Sequence, residues 1–456
     1  EAVTATQSNQ LILAGAGSGK TRVLVHRIAW LIEVEQVSSW NILAVTFTNK
    51  AAREMRARIE QMLNTPAGAM WVGTFHGLAH RLLRAHWKEA DLPQGFQILD
   101  SDDQFRLIKR ILKSLNLDDS KWPPRQVQWF INAQKDEGRR PDHIDDEGDY
   151  YQQQMIRIYR EYEDACRRGG MVDFAELLLR SHELWLNNPE LLSHYRERFR
   201  HVLVDEFQDT NTIQYAWVRM LVGANNHLFV VGDDDQSIYG WRGARVENIQ
   251  NVESDFPDVR LVRLEQNYRS TGNILSAANA VIANNPSRLG KNLWTDDGDG
   301  EPIRLYAAFN EVDEARWVID RIQDKIAHGM LRSELAILYR TTAQSRLFEE
   351  TLIQAGIPYR VYGGMRFFER AEVKDALAYV RMVSNPNDDA AFERAVNQPP
   401  RGIGPKTLEA VRSHARDFGS SLWQASKELL ESGAMPARAA NALRGFRDLV
   451  EEATLS

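Results

Sequence analysis

Short apolar runs alternate with amphipathic stretches along the first part of the chain. Apolar runs at residues 10–14, 42–47 and 69–75 predict strands, and the stretches at 20–32 and 50–62 between them predict helices. Strands that alternate with helices are typical of an α/β protein with a parallel sheet. The pattern therefore predicts an α/β fold.

A long helical stretch then interrupts this alternation between residues 76 and 200. Strand signals return at residues 201–205, 227–232 and 259–264. Because the helical stretch separates strands of one predicted sheet, we interpret it as an inserted subdomain.

A second α/β series follows. Its elements are predicted in the order strand 303–309, helix 311–328, strand 335–340, helix 345–355 and strand 359–362. From residue 367 onward the pattern is helical to the end, with a loop at 397–405. The chain is thus predicted to hold two α/β units, the second of which opens into another helical region.

The composition is that of an ordinary globular protein, with 43% hydrophobic and 26% charged residues. The 56 Lys and Arg residues against 63 Asp and Glu residues give a net charge of −7. This balance excludes a histone-like binder but is compatible with a basic channel on an acidic body. A single cysteine, Cys166, excludes an intramolecular disulfide and a Cys-cluster metal site, and favours a reducing compartment.

Neither a membrane helix nor a signal peptide is expected, because no apolar run approaches the ~20 residues that span a bilayer. The chain begins at Glu1 rather than Met and ends within a helical pattern. We therefore expect it to be a piece of a longer protein.

A glycine-rich segment joins the first predicted strand to the first predicted helix. It consists of Ala14, Gly15, Ala16, Gly17, Ser18, Gly19, Lys20 and Thr21. Glycines allow backbone N–H groups to point at phosphate oxygens, and the helix N-terminus adds a favourable dipole. Lys20 is expected to reach the β- and γ-phosphates, and Thr21 to bind Mg²⁺. Ala14 stands where the strict pattern has glycine, which we interpret as a tolerated variant, and the alternative is a plain glycine-rich turn.

Two adjacent carboxylates, Asp205 and Glu206, follow an apolar strand. We assign Asp205 to Mg²⁺ and Glu206 to the attacking water. On its own such a pair is commonplace and is often a solvated loop. Combined with the phosphate loop it predicts a nucleoside-triphosphate hydrolase.

Five further segments carry a family resemblance. They are residues 46–52 (TFTNKAA), 73–76 (GTFH), 205–209 (DEFQD), 232–244 (GDDDQSIYGWRGA) and 266–270 (QNYRS). In this order, with the helical insertion between the second and the third, the chain resembles the UvrD/Rep/PcrA-type superfamily 1 DNA helicases. The resemblance covers essentially the whole chain.

The resemblance implies two RecA-like P-loop motor domains, each with a helical insertion, of which the second motor is incomplete. The domains would be residues 1–74 and 200–265 for the first motor, 75–199 for its insertion, 266–362 for the second motor and 363–456 for an incomplete second insertion. The family's adenine-reading glutamine would precede Glu1, and the motifs that complete the second motor would follow the second insertion.

The resemblance also implies an activity. It is ATP-dependent, DNA-stimulated 3′→5′ movement along single-stranded DNA, with duplex unwinding in nucleotide-excision repair, mismatch repair and replication. The implied cofactors are ATP and Mg²⁺. Single-stranded DNA, single/double-strand junctions and DNA repair proteins would be partners, self-association is possible, and no membrane is involved. A cytoplasmic, nucleoid-associated bacterial protein is expected.

On the nucleotide side, the resemblance gives roles to further residues. Gln236 would contact the γ-phosphate and couple it to DNA, and Arg269 would act as an arginine finger. Tyr268 would stack on the adenine, with Arg22 near the base and Arg58 near the phosphates or the ribose.

On the DNA side, single strands are held by aromatic platforms together with backbone contacts. By resemblance Trp241 is the stacking residue, and Phe47 and Tyr239 shape base pockets. Glycines flank Trp241 closely, so no helix or strand face is predicted to bury it. The residues expected to contact phosphates or sugars are Thr46, Asn49, Thr74 and His76.

The segment Gly402, Ile403 and Gly404 resembles the turn of helix–hairpin–helix elements, whose backbone amides bind duplex phosphates. An ordinary loop between helices is the alternative. Two other functions also stay open for the chain as a whole. One is the motor subunit of a helicase–nuclease complex, and the other is a non-catalytic DNA-binding fragment.

Overall fold

The computed structural model divides the chain into two compact units. It describes residues 1–455 except for 6, 65, 69, 147, 287 and 363–370. Unit 1 comprises Glu1–Glu301, Asp388–Ala390 and Glu409–Leu429, and unit 2 comprises Pro302–Asn387, Ala391–Leu408 and Leu430–Ser456. The domain boundary predicted at residue 363 and the helix start predicted at residue 367 lie outside the described residues.

All strands found among the described residues belong to unit 1. They are β1 (Gln10–Ala14), β2 (Ile42–Thr46), β3 (Trp71–Thr74), β4 (Gln97–Ile98), β5 (Met171–Val172), β6 (His201–Val204), β7 (His227–Gly232) and β8 (Arg260–Leu264). Six of them form a parallel sheet in the order β3-β2-β6-β7-β1-β8. The six strands predicted for the first unit are therefore confirmed, with ends that differ by no more than two residues.

Helices connect these strands and make up most of the other regular structure of the described chain. They are α1 (Lys20–Glu33), α2 (Asn49–Leu63), α3 (Phe75–Ala85), α4 (Ser101–Ser114), α5 (Pro124–Asp136), α6 (Tyr150–Arg168), α7 (Phe174–Asn187), α8 (Pro189–Arg198), α9 (Thr212–Leu221), α10 (Glu247–Gln250), α11 (Val252–Asp255), α12 (Gly272–Ile282), α13 (Glu311–Ala327), α14 (Ser345–Gln354), α15 (Ala371–Ser384), α16 (Asp389–Ala395), α17 (Pro405–Phe418), α18 (Leu422–Glu431) and α19 (Ala437–Leu455). Short 3₁₀ turns include Phe207–Asp209, Asp234–Gln236 and Gly240–Arg242. None of the described helices is long and apolar enough to cross a membrane.

Both faces of the six-stranded sheet are covered. Alternate residues of β1 face opposite sides, as the pleat requires. Leu11 and Leu13 pack with side chains of α3, α7 and α9, whereas Ile12 and Ala14 pack with α1 and α2. Burial on both faces explains why these strands are continuous apolar runs in the sequence.

The predicted insertion between β3 and β6 is almost entirely helical. Helices α4, α5 and α6 share a third core, which contains Ile108, Ile131 and Tyr159. Within it β4 and β5 pair in parallel over two residues each. These strands were not predicted, because two-residue strands are too short to give a periodic pattern.

A network of buried charges lies inside this insertion. Lys135 is 1% exposed, and its ammonium lies 2.7 Å from Asp173 Oδ2 and 2.9 Å from Glu176 Oε2. Arg140 also pairs with Glu176, and with Glu183. Burial alone would lower the pKa of Lys135, but the charges of Asp173 and Glu176 raise it above its ordinary value. Each buried charge therefore has a partner, as burial requires.

In unit 2 the two predicted helices form, but the three predicted strands do not. Residues 303–309, 335–340 and 359–362 belong to no strand, and no ladder joins them to other described residues. Leu305 and Phe309 are 96% and 98% exposed. A strand exists only when a second backbone accepts and donates its hydrogen bonds. The three strand predictions are thus wrong for this structure.

The helical part of unit 2 has a core of its own. Arg394 Nε lies 2.6 Å from Asp375 Oδ1, which joins α16 to α15. Phe392 packs edge-on against Phe446 of α19 with ring centroids 5.5 Å apart. The helical character predicted for this region is confirmed over its described residues.

Candidate active site

The glycine-rich segment lies between β1 and α1, as predicted. Gly17 and Gly19 adopt left-handed backbone conformations with φ of 72° and 92°, which residues with a Cβ rarely adopt. The Ser18 hydroxyl donates to the Gly15 carbonyl at 2.7 Å and closes the loop. A Cβ on Gly17 would stand 2.5 Å from Asn267 Nδ2. Glycine is therefore required there by both conformation and close approach.

Lys20, at the start of α1, lies near two carboxylates. Its ammonium is 3.2 Å from Glu206 Oε2 and 3.9 Å from Asp233 Oδ2. The ammonium is buried and makes no directional hydrogen bond to the described residues. It is held by charge alone, so a phosphate oxygen can replace these carboxylates without breaking a hydrogen bond.

Thr21 and Asp205 form the candidate metal site. The Thr21 hydroxyl donates to Asp205 Oδ2 at 3.3 Å, at the end of β6. Burial and the neighbouring charge of Glu206 raise the pKa of Asp205 to about 6. A buried carboxylate under this repulsion, next to a hydroxyl oxygen, suits a hard divalent cation. The residues present therefore fit Mg²⁺.

Glu206 occupies the left-handed region, with φ 50° and ψ 46°. This conformation is unusual for a residue with a Cβ, and such residues cluster at active sites. Its side chain is about one-third exposed, whereas Asp205 is almost fully buried. The two carboxylates thus face different surroundings.

Three consecutive aspartates, residues 233–235, follow β7. Lys291 Nζ lies 2.7, 2.5 and 2.9 Å from their carboxylates, and Arg288 forms a two-bond pair with Asp235. The aspartates are therefore neutralised by protein cations and are not a candidate metal site.

Gln236 and Arg269 each contact residues next to Lys20. The Gln236 side chain donates to Asp233 Oδ2. The Arg269 Cβ would be 2.8 Å from a Cβ on Gly17, so Arg269 borders the phosphate loop. Its guanidinium is exposed, and no ion pair with another described residue is seen.

Tyr268 also borders the loop. Its backbone N–H donates to the Gly17 carbonyl at 3.0 Å, and its ring is 68% exposed. Arg22 is exposed on α1, with its Cβ 3.8 Å from where a Cβ on Gly19 would stand. Arg58 is exposed on α2, and its place in the site stays a prediction.

An aromatic group lies at the carboxyl edge of the sheet. Phe47, directly after β2, stacks on Tyr239 with ring centroids 5.1 Å apart. Trp241 is 72% exposed, and the Arg242 guanidinium lies 4.5 Å from its ring centroid. The structure brings these three predicted DNA-binding aromatics together, and Trp241 is exposed as the flanking glycines predicted.

A cavity of about 400 Å³ opens beside this group. Phe47, His76, Phe174, Asp209 and Arg242 are among its lining residues. His76 packs edge-on against Phe174, and burial lowers the pKa of His76 to about 4. The His76 imidazole is therefore neutral at pH 7. Burial, followed by repulsion from the Glu206 charge, raises the pKa of Asp209 to about 7.

Phe174 and Asp209 were not predicted from the sequence as site residues. Phe174 is 54% exposed although it begins α7 directly after the buried Asp173. An exposed phenylalanine at a capped helix start is a usable signal, but only once the burial of its neighbours is known. Asp209 belongs to the quoted DEFQD segment, yet its orientation towards the cavity depends on the 3₁₀ turn.

The other predicted strand contacts differ in accessibility. Thr46 is fully buried, and its hydroxyl has no hydrogen-bond partner among the described residues. Thr74 accepts the Gly77 N–H at 3.2 Å and caps α3. Asn49 is exposed at the start of α2. Of these three, only Asn49 is exposed.

The predicted duplex-binding turn lies in unit 2. Gly402 has φ 76°, and Ile403 is 1% exposed. Asn397 Nδ2 donates to the Ile403 carbonyl at 3.1 Å and holds the turn in place. The Ile403 side chain is thus an anchor in the core, and only backbone amides of the turn are available to a ligand.

Comparison with known proteins decides the family. Residues 1–257 match the family model of the UvrD/REP helicase N-terminal domain. The chain belongs to the UvrD/Rep helicase family. Residues 262–430 match the model of the UvrD-like helicase C-terminal domain. The resemblance inferred from the sequence motifs is confirmed, and so is the α/β fold class, with both UvrD-like helicase domains matched although the described residues of unit 2 form no strand.

Several bacterial members of the family are similar over nearly the whole chain. DNA helicase II of Escherichia coli is 64% identical over 451 residues, and that of Haemophilus influenzae is 56% identical over 459. The ATP-dependent DNA helicase PcrA of Bacillus subtilis is 46% identical over 456. These matches cover 99–100% of the chain but only 62–63% of each relative.

Proposed function

We propose that the chain forms the nucleotide-binding and strand-binding part of an ATP-dependent helicase that moves 3′→5′ along single-stranded DNA. The observation that carries this proposal is the course of residues 232–244. Asp233, near the start of this segment, lies beside Lys20, and the segment continues to the exposed Trp241. One short segment thus connects the phosphate loop with the aromatic surface. The printed names of the relatives, DNA helicase II and PcrA, support the same activity.

On the nucleotide side, the phosphate loop and Lys20 bind the triphosphate of ATP. Thr21 and Asp205 hold Mg²⁺, which when bound neutralises charge on the β- and γ-phosphates. Glu206 orients and deprotonates the attacking water. Arg269, which borders the loop, stabilises the charge of the transferring phosphoryl group.

On the DNA side, Trp241 stacks on a base, and Phe47 and Tyr239 separate to admit another base between them. Stacking of this kind is sequence-tolerant, since every base has a π-face. Arg242, His76 and the neighbouring cavity complete the surface.

Family membership supports the remaining proposals. We assign the motors to residues 1–74 with 200–265 and to 266–362, and the insertions to 75–199 and 363–456. Backbone amides around Gly402 and Gly404 contact duplex at a single/double-strand junction. The protein acts in nucleotide-excision repair, mismatch repair and replication. It is located in the cytoplasm, on the nucleoid. Its partners are DNA repair proteins and other copies of the same protein.

Unwinding of tailed duplexes tests the proposed function. The full-length protein is given ATP, Mg²⁺ and a duplex with either a 3′ or a 5′ single-stranded tail. We expect strand separation only with the 3′ tail, and none when Lys20→Ala replaces the wild type. Equal unwinding from both tails would contradict the direction, and unwinding by Lys20→Ala would contradict the nucleotide site.

A further inference from the structure

Gln208 is a buried side chain that the proposed function does not use. It is 1% exposed and lies in the 3₁₀ turn two residues after Glu206. Its Nε2 donates to Glu206 Oε2 at 2.9 Å, and its Oε1 accepts the Asp233 backbone N–H at 2.9 Å. The reversed amide would set an acceptor against a carboxylate and a donor against an N–H. The two partners therefore define the amide orientation.

The surrounding backbone leaves room for this amide. A Cβ on Gly232 would stand 2.6 Å from Ile249 Cδ1 and 3.0 Å from Gln208 Oε1. Glycine at the end of β7 therefore leaves space that a larger residue would take from both side chains. Gln208 thus bridges the turn that carries Glu206 and the segment that leads to Trp241.

Gln208 also connects to the cavity on the strand side. Its Nε2 lies 3.4 Å from Asp209 Oδ2. Asp209 lines the cavity with Phe47 and Arg242, and its Oδ1 is buried without a hydrogen-bond partner among the described residues. Such an oxygen is an unused acceptor. A group that enters the cavity can therefore donate a hydrogen bond to Asp209 and move the 3₁₀ turn that carries Gln208.

We propose that Gln208 is a positioning residue that restrains Glu206 until a DNA strand is bound. In the strand-free protein, Gln208 and Lys20 hold the Glu206 carboxylate between them, so it is not free to orient a water. A strand that moves Asp209 or the Asp233 segment changes the position of the amide and releases Glu206. The inference rests on the proposed function, because it takes Glu206 as the residue that activates water.

The variant Gln208→Met tests this inference, since it keeps the volume of the side chain and removes both hydrogen bonds. We expect strand-free ATP turnover to rise about tenfold, the factor that a hydrogen bond to a charged group is worth. The KM for ATP should stay unchanged. The ratio of turnover with saturating oligo-dT to turnover without DNA should fall by the same factor.

Gln128→Met is the matched control. Gln128 is also a buried glutamine, 3% exposed, but its amide donates to the Ser101 carbonyl within the helical insertion. This variant loses similar hydrogen bonds without touching Glu206. Its stimulation ratio should equal that of the wild type.

Gln208→Glu gives a second measurement if Gln208→Met fails to fold. A carboxylate keeps the shape of the side chain but cannot donate to Glu206, so the ratio should fall again. A Gln208 variant that keeps the wild-type ratio, or that lowers both rates equally, would overturn the inference. A wild type that oligo-dT does not stimulate would instead overturn the proposed function.

Discussion

At the scale of single residues, Asp205 and Glu206 show how adjacent carboxylates acquire different tasks. Asp205 is almost fully buried, accepts the Thr21 hydroxyl and is repelled by Glu206. These three conditions favour a bound cation. Glu206 is partly exposed and lies 3.2 Å from Lys20, so under the proposed function it lies beside the phosphoryl group that is transferred. The proposed function therefore gives the metal and the water to different residues.

Glu206→Gln tests this division. The amide keeps size and polarity but cannot accept a proton, so ATP hydrolysis should fall by roughly 10²–10⁴-fold. The affinity for Mg²⁺-ATP should stay within a few-fold of the wild type in equilibrium binding. Loss of Mg²⁺-nucleotide affinity together with the rate would identify Glu206 as a metal ligand instead.

Asp136, at the end of α5, gives a prediction about pH. Burial, then the charge of Asp173, raises the pKa of Asp136 from 3.8 to about 7. Above pH 7 its ionisation disfavours the folded state, and this cost declines as the pH falls from 7 towards 4. Asp136→Asn should therefore be more stable than the wild type at pH 8 by roughly 1–3 kcal/mol.

Thermal melting at pH 8 and pH 5 provides the measurement. The difference in Tm between Asp136→Asn and the wild type should be largest at pH 8 and smaller at pH 5. A difference that does not change with pH would show that Asp136 is ionised across this range.

At the scale of elements, the features that could be predicted from the sequence are those that residues close together in the chain determine. The strands of the first sheet are apolar runs because both faces are buried, and the phosphate loop is local in sequence. The site residues of this sheet follow from the same rule, since Asp205 and Asp233 directly follow parallel strands and Lys20 begins the helix that comes after β1.

What depends on distant partners could not be predicted. The alternation at residues 303–309 is typical of a strand, but pairing requires a second backbone, which a local pattern does not report. The pairing of Lys135 with Asp173 joins residues 38 positions apart. The contacts of Gln208 could not be predicted either, because its bonds to Glu206 and Asp233 do not follow from its residue type.

The buried charge network gives a prediction for the helical insertion. Asp173 caps α7 through the Glu176 N–H at 2.7 Å and also accepts Lys135 and the Tyr162 hydroxyl. Asp173→Ala leaves a buried ammonium with one partner fewer, so it should lower the free energy of unfolding by about 3–5 kcal/mol. Denaturant titration measures the change.

An exposed ion pair in the same insertion serves as the control. Asp142 lies 2.8 Å from Arg160, and both side chains are more than half exposed. Asp142→Ala should change the free energy of unfolding by less than about 1 kcal/mol. Equal effects of the two variants would show that burial of the network does not matter for stability.

At the scale of the whole molecule, the proposed surface for single-stranded DNA depends on Trp241, an aromatic side chain that the fold leaves exposed. Trp241→Ala should weaken binding of single-stranded DNA by ~1–3 kcal/mol at a fixed salt concentration, because one stacking platform is lost. ATP turnover without DNA should be largely unchanged. Fluorescence anisotropy with labelled oligo-dT measures the affinity.

Trp129→Ala is the matched variant, since Trp129 is 68% exposed on α5 and lies outside the proposed surface. Its affinity for oligo-dT should equal that of the wild type. Equal affinities of Trp241→Ala and the wild type would remove Trp241 from the strand path.

In the proposed function, a DNA strand on the aromatic surface stimulates hydrolysis of the ATP bound in the phosphate loop. This coupling is measured as ATP turnover by the full-length protein, without nucleic acid and with single-stranded DNA, duplex or RNA. We predict a large increase with single-stranded DNA, a smaller one with blunt duplex or RNA, and no turnover in Lys20→Ala. The same turnover with and without single-stranded DNA would show that the two sites are not coupled.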